Sequence, residues 1–261
     1  MPGFTIAYLI FLVAPIVLLM IGSVGGTWTN TLLPDGITGE WYRTVWEDGS
    51  FRRAFVVSLW VCLSTCVATA AIGLPLAYGI YGAARRGVKI AARTLYLMPV
   101  AAPPLVLGFG FILVFSSDTL PFLGAPWLLV CGHVVLTLPY LMQTLVSDMR
   151  HLNLGTLERA AESLGASFVQ RFFGIIVPSL RHSLASGLIM VAALSIGEFQ
   201  LSNLIAGFLS RPYPVVLLQA FYGATGFACA ATVILLALAL VSGAAAGVAG
   251  RGRVGAEGAR T

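Results

Sequence analysis

The segment LERAAESLGASFVQRFFGIIVP, residues 157–178, is a polar insert between two long apolar stretches of the chain. It holds several charged side chains, whereas the 261-residue chain as a whole is 58% hydrophobic and only 10% charged. A soluble domain carries about 25% charged residues. Because so few charges cannot cover a water-facing surface, the composition predicts an integral membrane protein in which this insert is a water-exposed loop.

The insert carries the local signals of two short helices joined by a tight turn. Thr156 is placed to cap the first helix, and Gly165 falls where a helix end favours a left-handed residue. Ser167 and Gln170 have the spacing of a capping box at the start of the second helix, which we expect Pro178 to end. A floppy connector needs none of these signals. The pattern therefore predicts a rigid docking element that exposes three aromatic side chains, Phe168, Phe172 and Phe173.

Six apolar segments are long enough to cross a bilayer, which takes about 20 residues per helix. The prediction is an all-α polytopic membrane protein, one domain over residues 1–261, with a loop at 148–182 and a disordered tail at 250–261. The first segment has no basic start and no small-residue cleavage site, so we interpret it as a retained span rather than a signal peptide. The predicted spans are residues 4–26, 54–81, 94–116, 127–147, 183–206 and 223–249.

The orientation in the membrane follows from the basic residues, which favour the cytoplasmic side. Eleven of the 15 Lys and Arg residues lie in the loops after spans two and four and in the tail, and four lie in the opposite loops. Both termini and the insert are therefore predicted to be cytoplasmic. The net charge of +5 does not indicate nucleic-acid binding, because the chain has a single lysine, Lys89.

The loop at residues 27–53, on the opposite side, is rich in aromatic side chains, including Trp28, Trp41, Tyr42 and Trp46. Such residues are typical of the headgroup level of a membrane. Docking of a periplasmic partner on this loop is the other interpretation.

The insert resembles the cytoplasmic signature E-A-A-x3-G-x9-I-x-L-P of permease subunits of binding-protein-dependent ABC importers. Arg159 stands where that family has its glutamate, and Val177 replaces the leucine. Glu158 and Glu162 flank Arg159 and are the candidates to supply the missing carboxylate. The positions that match are Ala160, Ala161, Gly165, Ile175 and Pro178.

The resemblance implies a methionine-importer-like transmembrane fold and a coupling helix that sits in a groove of a separate ATPase subunit. The chain has no G-x-x-x-x-G-K-[ST] stretch, so ATP and Mg are expected on that partner and no cofactor on this chain. The other implied partners are a second permease subunit, identical or homologous, a periplasmic substrate-binding protein and the surrounding membrane lipid. The resemblance assigns ATPase coupling to Glu158, Arg159, Ala160, Ala161, Glu162, Gly165, Ala166, Ile175 and Pro178.

Glu198 is the one carboxylate inside a predicted span, and a charge there costs about 2.5–3.5 kcal/mol on insertion scales. It either lines the transport pathway or is a structural acid that caps a half-helix or ties two spans together, with Gly197 marking a broken helix. Three polar residues after it are candidates to line the same pathway: Gln200, Ser202 and Asn203. The G-E-F motif resembles that of permeases for polyamines, iron(III) and 2-aminoethylphosphonate, and also of permeases for oxyanions.

Two further features of the spans leave alternatives open. His133 in span four is expected to form a hydrogen bond between helices, with a proton relay as the alternative. Pro99, Pro103 and Pro104 indicate either a broken helix that faces the interior of the bundle or simple kinks at the entrance of a span.

The predicted function is that of a membrane-spanning permease subunit of an ATP-driven importer in the bacterial inner membrane. Its solute is expected to be small and polar, of the polyamine, 2-aminoethylphosphonate or iron(III) class. A self-contained secondary transporter or channel is the alternative, but such proteins often show inverted repeats, which this sequence lacks. No enzyme is predicted, because the chain has neither H-E-x-x-H nor G-x-S-x-G.

Overall fold

The computed structural model describes residues 2–28, 31 and 33–237 of the chain. The tail predicted at residues 250–261 and the end of the sixth predicted span lie outside the described residues. The chain divides into two compact units. The first comprises residues up to Arg53 and from Val216 onwards, and the second comprises Ala54–Val215.

The first unit contains the amino-terminal helix and the aromatic-rich loop that follows it. A short antiparallel hairpin joins the first two helices. The indole of Trp41 donates a hydrogen bond to the carbonyl of Gly25 at 2.8 Å, whereas Trp46 is exposed. Its elements are α1 (Pro2–Val24), β1 (Gly25–Thr27), β2 (Asp35–Ile37), α2 (Glu40–Glu47) and the described part of a last helix, here called α13 (Thr225–Ala237).

The second unit holds the helices that surround the polar insert. They are α3 (Gly49–Gly82), α4 (Arg86–Ala101), α5 (Pro104–Phe115), α6 (Pro126–His151), α7 (Leu154–Ser163), α8 (Phe168–Arg171), a π-helical turn (Phe172–Ile176), α9 (Val177–Ser179), α10 (Arg181–Gly197), α11 (Gln200–Ile205), a 3-10 turn (Phe208–Ser210) and α12 (Tyr213–Gly223). Helix α3 begins, and α12 ends, in the first unit.

Among the described residues, three helices are long and apolar enough to cross a membrane: α1, α3 and α6. Two bent pairs qualify if each counts as one span. Helices α4 and α5 meet at 98°, and the Phe168–Ser179 segment meets α10 at 65°. The first bend lies at Pro103 and Pro104, where Ala102 is extended, because proline removes a backbone donor and disfavours the helical conformation of the residue before it.

Helix α6 forms the centre of the second unit. Leu141 is fully buried between two glycines, Gly73 of α3 and Gly187 of α10. A Cβ atom on Gly187 would lie 2.5 Å from Cδ1 of Leu141, so a larger residue there would force the Leu141 side chain to shift. Small residues commonly permit such close contact between helices in membranes. The rest of this core includes Ala77, Met142, Leu145, Met149, Ile176 and Leu180.

Candidate functional site

The first helix of the insert begins earlier than the sequence suggested. Helix α7 starts at Leu154, and its N-cap is Asn153, whose φ of 47° is left-handed. The prediction that Thr156 caps this helix is therefore wrong. The backbone N–H of Thr156 instead donates to the carbonyl of Asn153 at 2.8 Å. Asparagine is among the few residues that adopt this conformation readily, so the chain reverses directly after α6.

The turn between the two helices is built as expected. Gly165 has a φ of +82°, which confirms the predicted left-handed position. The N–H of Gly165 donates to the carbonyl of Glu162 at 2.9 Å, and that of Ala166 to the carbonyl of Ala161 at 3.0 Å. This pair of bonds is a Schellman motif, which closes a helix end and fixes the direction of the chain beyond it.

The second helix begins at the predicted capping box but does not end at Pro178. The Ser167 hydroxyl accepts from the Gln170 N–H at 3.4 Å, and the Gln170 side chain accepts from the Ser167 N–H at 2.8 Å. The segment then continues through the π-helical turn to Ser179. Pro178 is tolerated because it lies in the first turn of a helical piece, where a missing N–H costs little.

A group of charged and aromatic side chains holds the two helices of the insert to α3. Nη1 of Arg171 lies 2.8 Å from Oε2 of Glu162 and 3.8 Å from Oε1 of Glu158. The hydroxyl of Tyr78 donates to the same Glu158 oxygen. In α7, the N–H of Gly155 donates to the hydroxyl of Tyr81 at 3.0 Å.

The positions of Glu158 and Arg171 give this group its rigidity. Their side chains are only 17% and 15% exposed, so the ion pair is less screened by water than a surface pair. No local pattern points to Tyr78 or Tyr81, because each lies more than 70 residues before its partner.

Large apolar side chains lie exposed on the insert. Leu164 is 88% exposed and Phe173 is 66% exposed. The prediction of three exposed phenylalanines is wrong for Phe172, which is buried with its ring 5.6 Å from that of Tyr78. Exposed apolar surface of this kind marks sites of interaction with another protein or with the membrane. We call the exposed apolar residues the apolar face of the insert: Leu157, Leu164, Phe168, Val169 and Phe173.

The remaining residues predicted to couple to an ATPase differ in their exposure. Arg159 is exposed, and Glu162 stays 62% exposed although it pairs with Arg171. Glu158 instead faces Tyr78 and Arg171. Exposed residues also include Ala160, Gly165 and Pro178, while Ala161, Ala166 and Ile175 are half-buried.

The second candidate site is a cavity of about 500 Å³ between the α4–α5 bend, α6 and the end of α10. Its wall includes Tyr140 and two of the predicted pathway residues, Glu198 and Gln200. Ser202 is buried behind the wall, and Asn203 is exposed outside this cavity. The prolines of the bend, Pro99 and Pro104, also line it, so the broken helix adjoins the cavity.

Glu198 lies at the predicted break, between the end of α10 at Gly197 and the start of α11. Its carboxylate accepts hydrogen bonds from the N–H of Leu201 at 2.7 Å and the N–H of Ser202 at 2.8 Å. It thus caps α11, where a negative charge is favoured by the exposed N–H groups. Capping and lining the cavity are combined in this one side chain.

His133 connects α6 to both helices at the break, as the interpretation of a bond between helices predicted. Its Nδ1 lies 2.9 Å from Oγ of Ser195, and its Nε2 lies 2.9 Å from Oγ of Ser202. The Ser202 hydroxyl donates to Glu198 at 2.6 Å. Since that proton is committed, Nε2 of His133 must donate to Ser202, which leaves Nδ1 to accept from Ser195 when the ring is neutral.

The buried network therefore runs in one direction, from Ser195 through His133 and Ser202 to Glu198. All four side chains find partners in it, and an unpaired polar group in such a place would cost about 1–3 kcal/mol. The network fixes the geometry of the break beside the cavity.

Comparison with known proteins matches the chain to a family model described as the binding-protein-dependent transport system inner membrane component, over residues 71–252. The chain is 25% identical over 241 residues to a protein of Salmonella typhimurium named as the 2-aminoethylphosphonate transport system permease PhnV, covering 91% of this chain and 88% of that protein. It is 26% identical over 248 residues to the spermidine/putrescine transport system permease protein PotC of Escherichia coli, covering 92% and 89%.

The fold also has a solved counterpart. A chain from the crystal structure of a bacterial ABC transporter involved in the import of the acidic polysaccharide alginate superimposes with a TM-score of 0.66. The match covers 92% of this chain and 91% of that one at 15% identity. The backbone arrangement is therefore that of a solved ABC transporter chain.

Proposed function

This chain belongs to the family of inner membrane components of binding-protein-dependent transport systems, as a permease subunit of an importer, and on that premise we propose that residues 157–178 dock a separate ATPase subunit. The observation that carries the proposal is an exposed apolar face on a rigid support. Leu164 and Phe173 are exposed, while Arg171 and Glu158 fix the helices beneath them. A docking element must be held in this way if it is to transmit force rather than yield to it.

The wider assembly follows from the same proposal. The insert faces the cytoplasm, with both termini on that side, because the basic residues concentrate there. A second permease subunit completes the pathway, and a periplasmic binding protein delivers the solute to the opposite side. ATP and Mg are bound by the partner ATPase, whose closure moves the insert and thereby the helices around the cavity.

The solute class is proposed from the cavity and the named relatives together. One carboxylate, that of Glu198, lines the cavity, and among the described residues no lysine or arginine does. This charge favours a small polar solute that carries an ammonium group. An ammonium group is common to polyamines and 2-aminoethylphosphonate, which are named for the relatives from Escherichia coli and Salmonella typhimurium. Iron(III) is kept in the proposed solute class only because the G-E-F motif resembles that of iron(III) permeases.

Gly165 provides the decisive test of docking. Its φ of +82° strains any side chain with a Cβ, so Gly165→Val should misdirect α8 and the apolar face. The full chain, its ATPase and its binding protein are reconstituted in proteoliposomes, and solute uptake is measured together with ATPase binding. Uptake should fall more than tenfold with normal insertion in the membrane.

Gly87→Val serves as the matched control, because Gly87 lies outside the insert, has an ordinary φ and has open space around its Cβ position. Uptake by the purified chain without any ATPase would contradict the proposal and favour a self-contained transporter. Normal ATPase binding and uptake in Gly165→Val would show that the partner docks elsewhere.

A further inference from the structure

A second cavity, of about 420 Å³, lies between α4 and α6 at the end of α6 that leads into the insert. It is lined by basic side chains from both helices. Lys89 and Arg93 come from α4, and Arg150 and His151 from α6. This cavity shares no lining residue with the one at Glu198, whose wall has no lysine or arginine among the described residues.

The basic groups of this cavity lack counter-charges within the described part of the chain. No carboxylate lies within ion-pair distance of Arg93 or Arg150 among those residues. The nearby acid of α6, Asp148, accepts a hydrogen bond from Ser183 of α10 and does not line the cavity. Cations held together without an anion repel one another, so the arrangement is stabilised when an anion enters.

The rest of the lining fits an anion that carries both oxygens and an apolar part. Gln143 and Ser147 offer neutral hydrogen-bond donors on the face of α6 that also carries Arg150. Ile80 and Val146 supply apolar surface beside them. Arginine is suited to tetrahedral oxyanions, because its planar guanidinium presents two parallel N–H groups.

We propose that this cavity binds a phosphate-type anion, either the headgroup of an anionic phospholipid or a soluble phosphate. Basic pockets between transmembrane helices on the cytoplasmic side are suited to anionic headgroups. The position of the cavity fits a lipid headgroup, because the cavity lies where α6 reaches the cytoplasmic boundary in the proposed topology. Bound there, the anion joins α4 to α6 next to the chain reversal at which the insert begins.

Lys89 also borders a different cavity near Glu158 and Arg159, so its charge is shared between two places. Arg93 and Arg150 are therefore the residues to alter. The test variant is Arg93→Gln with Arg150→Gln. Its matched control is Arg85→Gln with Arg86→Gln, which removes the same charge from two exposed residues outside the cavity.

The experiment uses the purified full-length chain in detergent and counts lipid adducts by native mass spectrometry. The probes are dioctanoyl phosphatidylglycerol and, as the zwitterionic comparison, dioctanoyl phosphatidylcholine. Inorganic phosphate is then added as a competitor, with chloride at equal ionic strength as its control, because screening by salt alone weakens charge interactions. Circular dichroism and size-exclusion chromatography check the fold of each variant.

The wild-type chain should bind phosphatidylglycerol at least tenfold more tightly than phosphatidylcholine. The Arg93 and Arg150 variant should lose that preference, and the Arg85 and Arg86 control should stay within twofold of wild type. Displacement of the lipid by phosphate but not by chloride would identify a soluble anion as an alternative occupant. If phosphate does not displace the bound phosphatidylglycerol, the occupant of the cavity is the lipid headgroup.

Two results would overturn the proposal. One is a wild-type chain that shows no preference for phosphatidylglycerol and no binding of phosphate. The other is an equal loss in the control variant, which would mean that general surface charge attracts the lipid. If the double variant does not fold, the single variants Arg93→Gln and Arg150→Gln are compared with Arg85→Gln in the same assay, because a wild-type preference alone does not locate the bound anion. None of these measurements depends on transport or on ATPase docking.

Discussion

The hydroxyl of Tyr78 in α3 donates a hydrogen bond to the carboxylate of Glu158 in α7, 80 residues further along the chain. Arg171 of α8 pairs with the same carboxylate. One largely buried carboxylate therefore joins three helices, two from the insert and one from the body of the second unit. This group therefore ties the insert to α3.

Tyr78→Phe should weaken the link between ATP hydrolysis and uptake. The substitution keeps the ring that packs on Phe172 but removes the hydroxyl. A hydrogen bond to a charged group contributes about 1.5–3 kcal/mol, so Glu158 should hold α3 less firmly. In reconstituted importer, more ATP should be consumed per solute transported. Tyr222→Phe, at an exposed position, is the control. An unchanged ratio of hydrolysis to uptake would show that Tyr78 has no part in coupling.

Glu198→Gln should lower both the stability of the chain and its affinity for an ammonium-bearing solute. The amide retains one oxygen acceptor, so one of the backbone N–H groups of Leu201 and Ser202 loses its partner at a cost of about 1–3 kcal/mol. Loss of the charge should also raise the KM for uptake. Thermal unfolding in detergent and uptake kinetics measure the two effects separately. A lower melting temperature with an unchanged KM would leave Glu198 a purely structural acid.

Ser202→Ala should destabilise the chain more than Ser195→Ala. Both hydroxyls bond to His133, but only that of Ser202 also donates to Glu198. Its removal takes a hydrogen bond from both His133 and the charged Glu198, which keeps only its backbone N–H donors, whereas removal of the Ser195 hydroxyl takes one from His133 alone. The difference should be about 1–3 kcal/mol in the free energy of unfolding. Equal losses for the two variants, measured by thermal unfolding, would refute the directional network.

Sequence reasoning succeeded where the controlling contacts are local. The turn at Gly165 and the capping box at Ser167 and Gln170 depend on bonds between residues at most five positions apart, and their residue types identify them. The same local reasoning predicts Thr156 as the cap of α7. The structure instead uses Asn153, because the reversal after α6 places the helix start three residues earlier.

Contacts between distant segments could not be predicted from the sequence. The burial of Phe172 depends on Tyr78, which no pattern links to it. The two proposed roles of Glu198 could be stated from the sequence but not distinguished. Whether one carboxylate caps a helix, lines a cavity or does both depends on how α6 packs against the break. The continuation of the helical segment past Pro178 likewise depends on the π-helical turn before it.

Arg159→Glu should weaken ATPase binding rather than improve it, although it restores the glutamate of the family signature. Arg159 is exposed beside Glu158 and Glu162. A third carboxylate there adds like-charge repulsion of about 0.2–0.5 kcal/mol along the helix, and it reverses the charge presented to the cognate partner. Melting temperature should change little, while the Kd for the ATPase subunit, measured by biolayer interferometry on detergent-solubilised chain, should rise. Arg159→Gln removes the charge without reversing it and should give an intermediate Kd. Tighter binding of the glutamate variant would mean that the partner groove expects the family acid and that Arg159 is a tolerated departure.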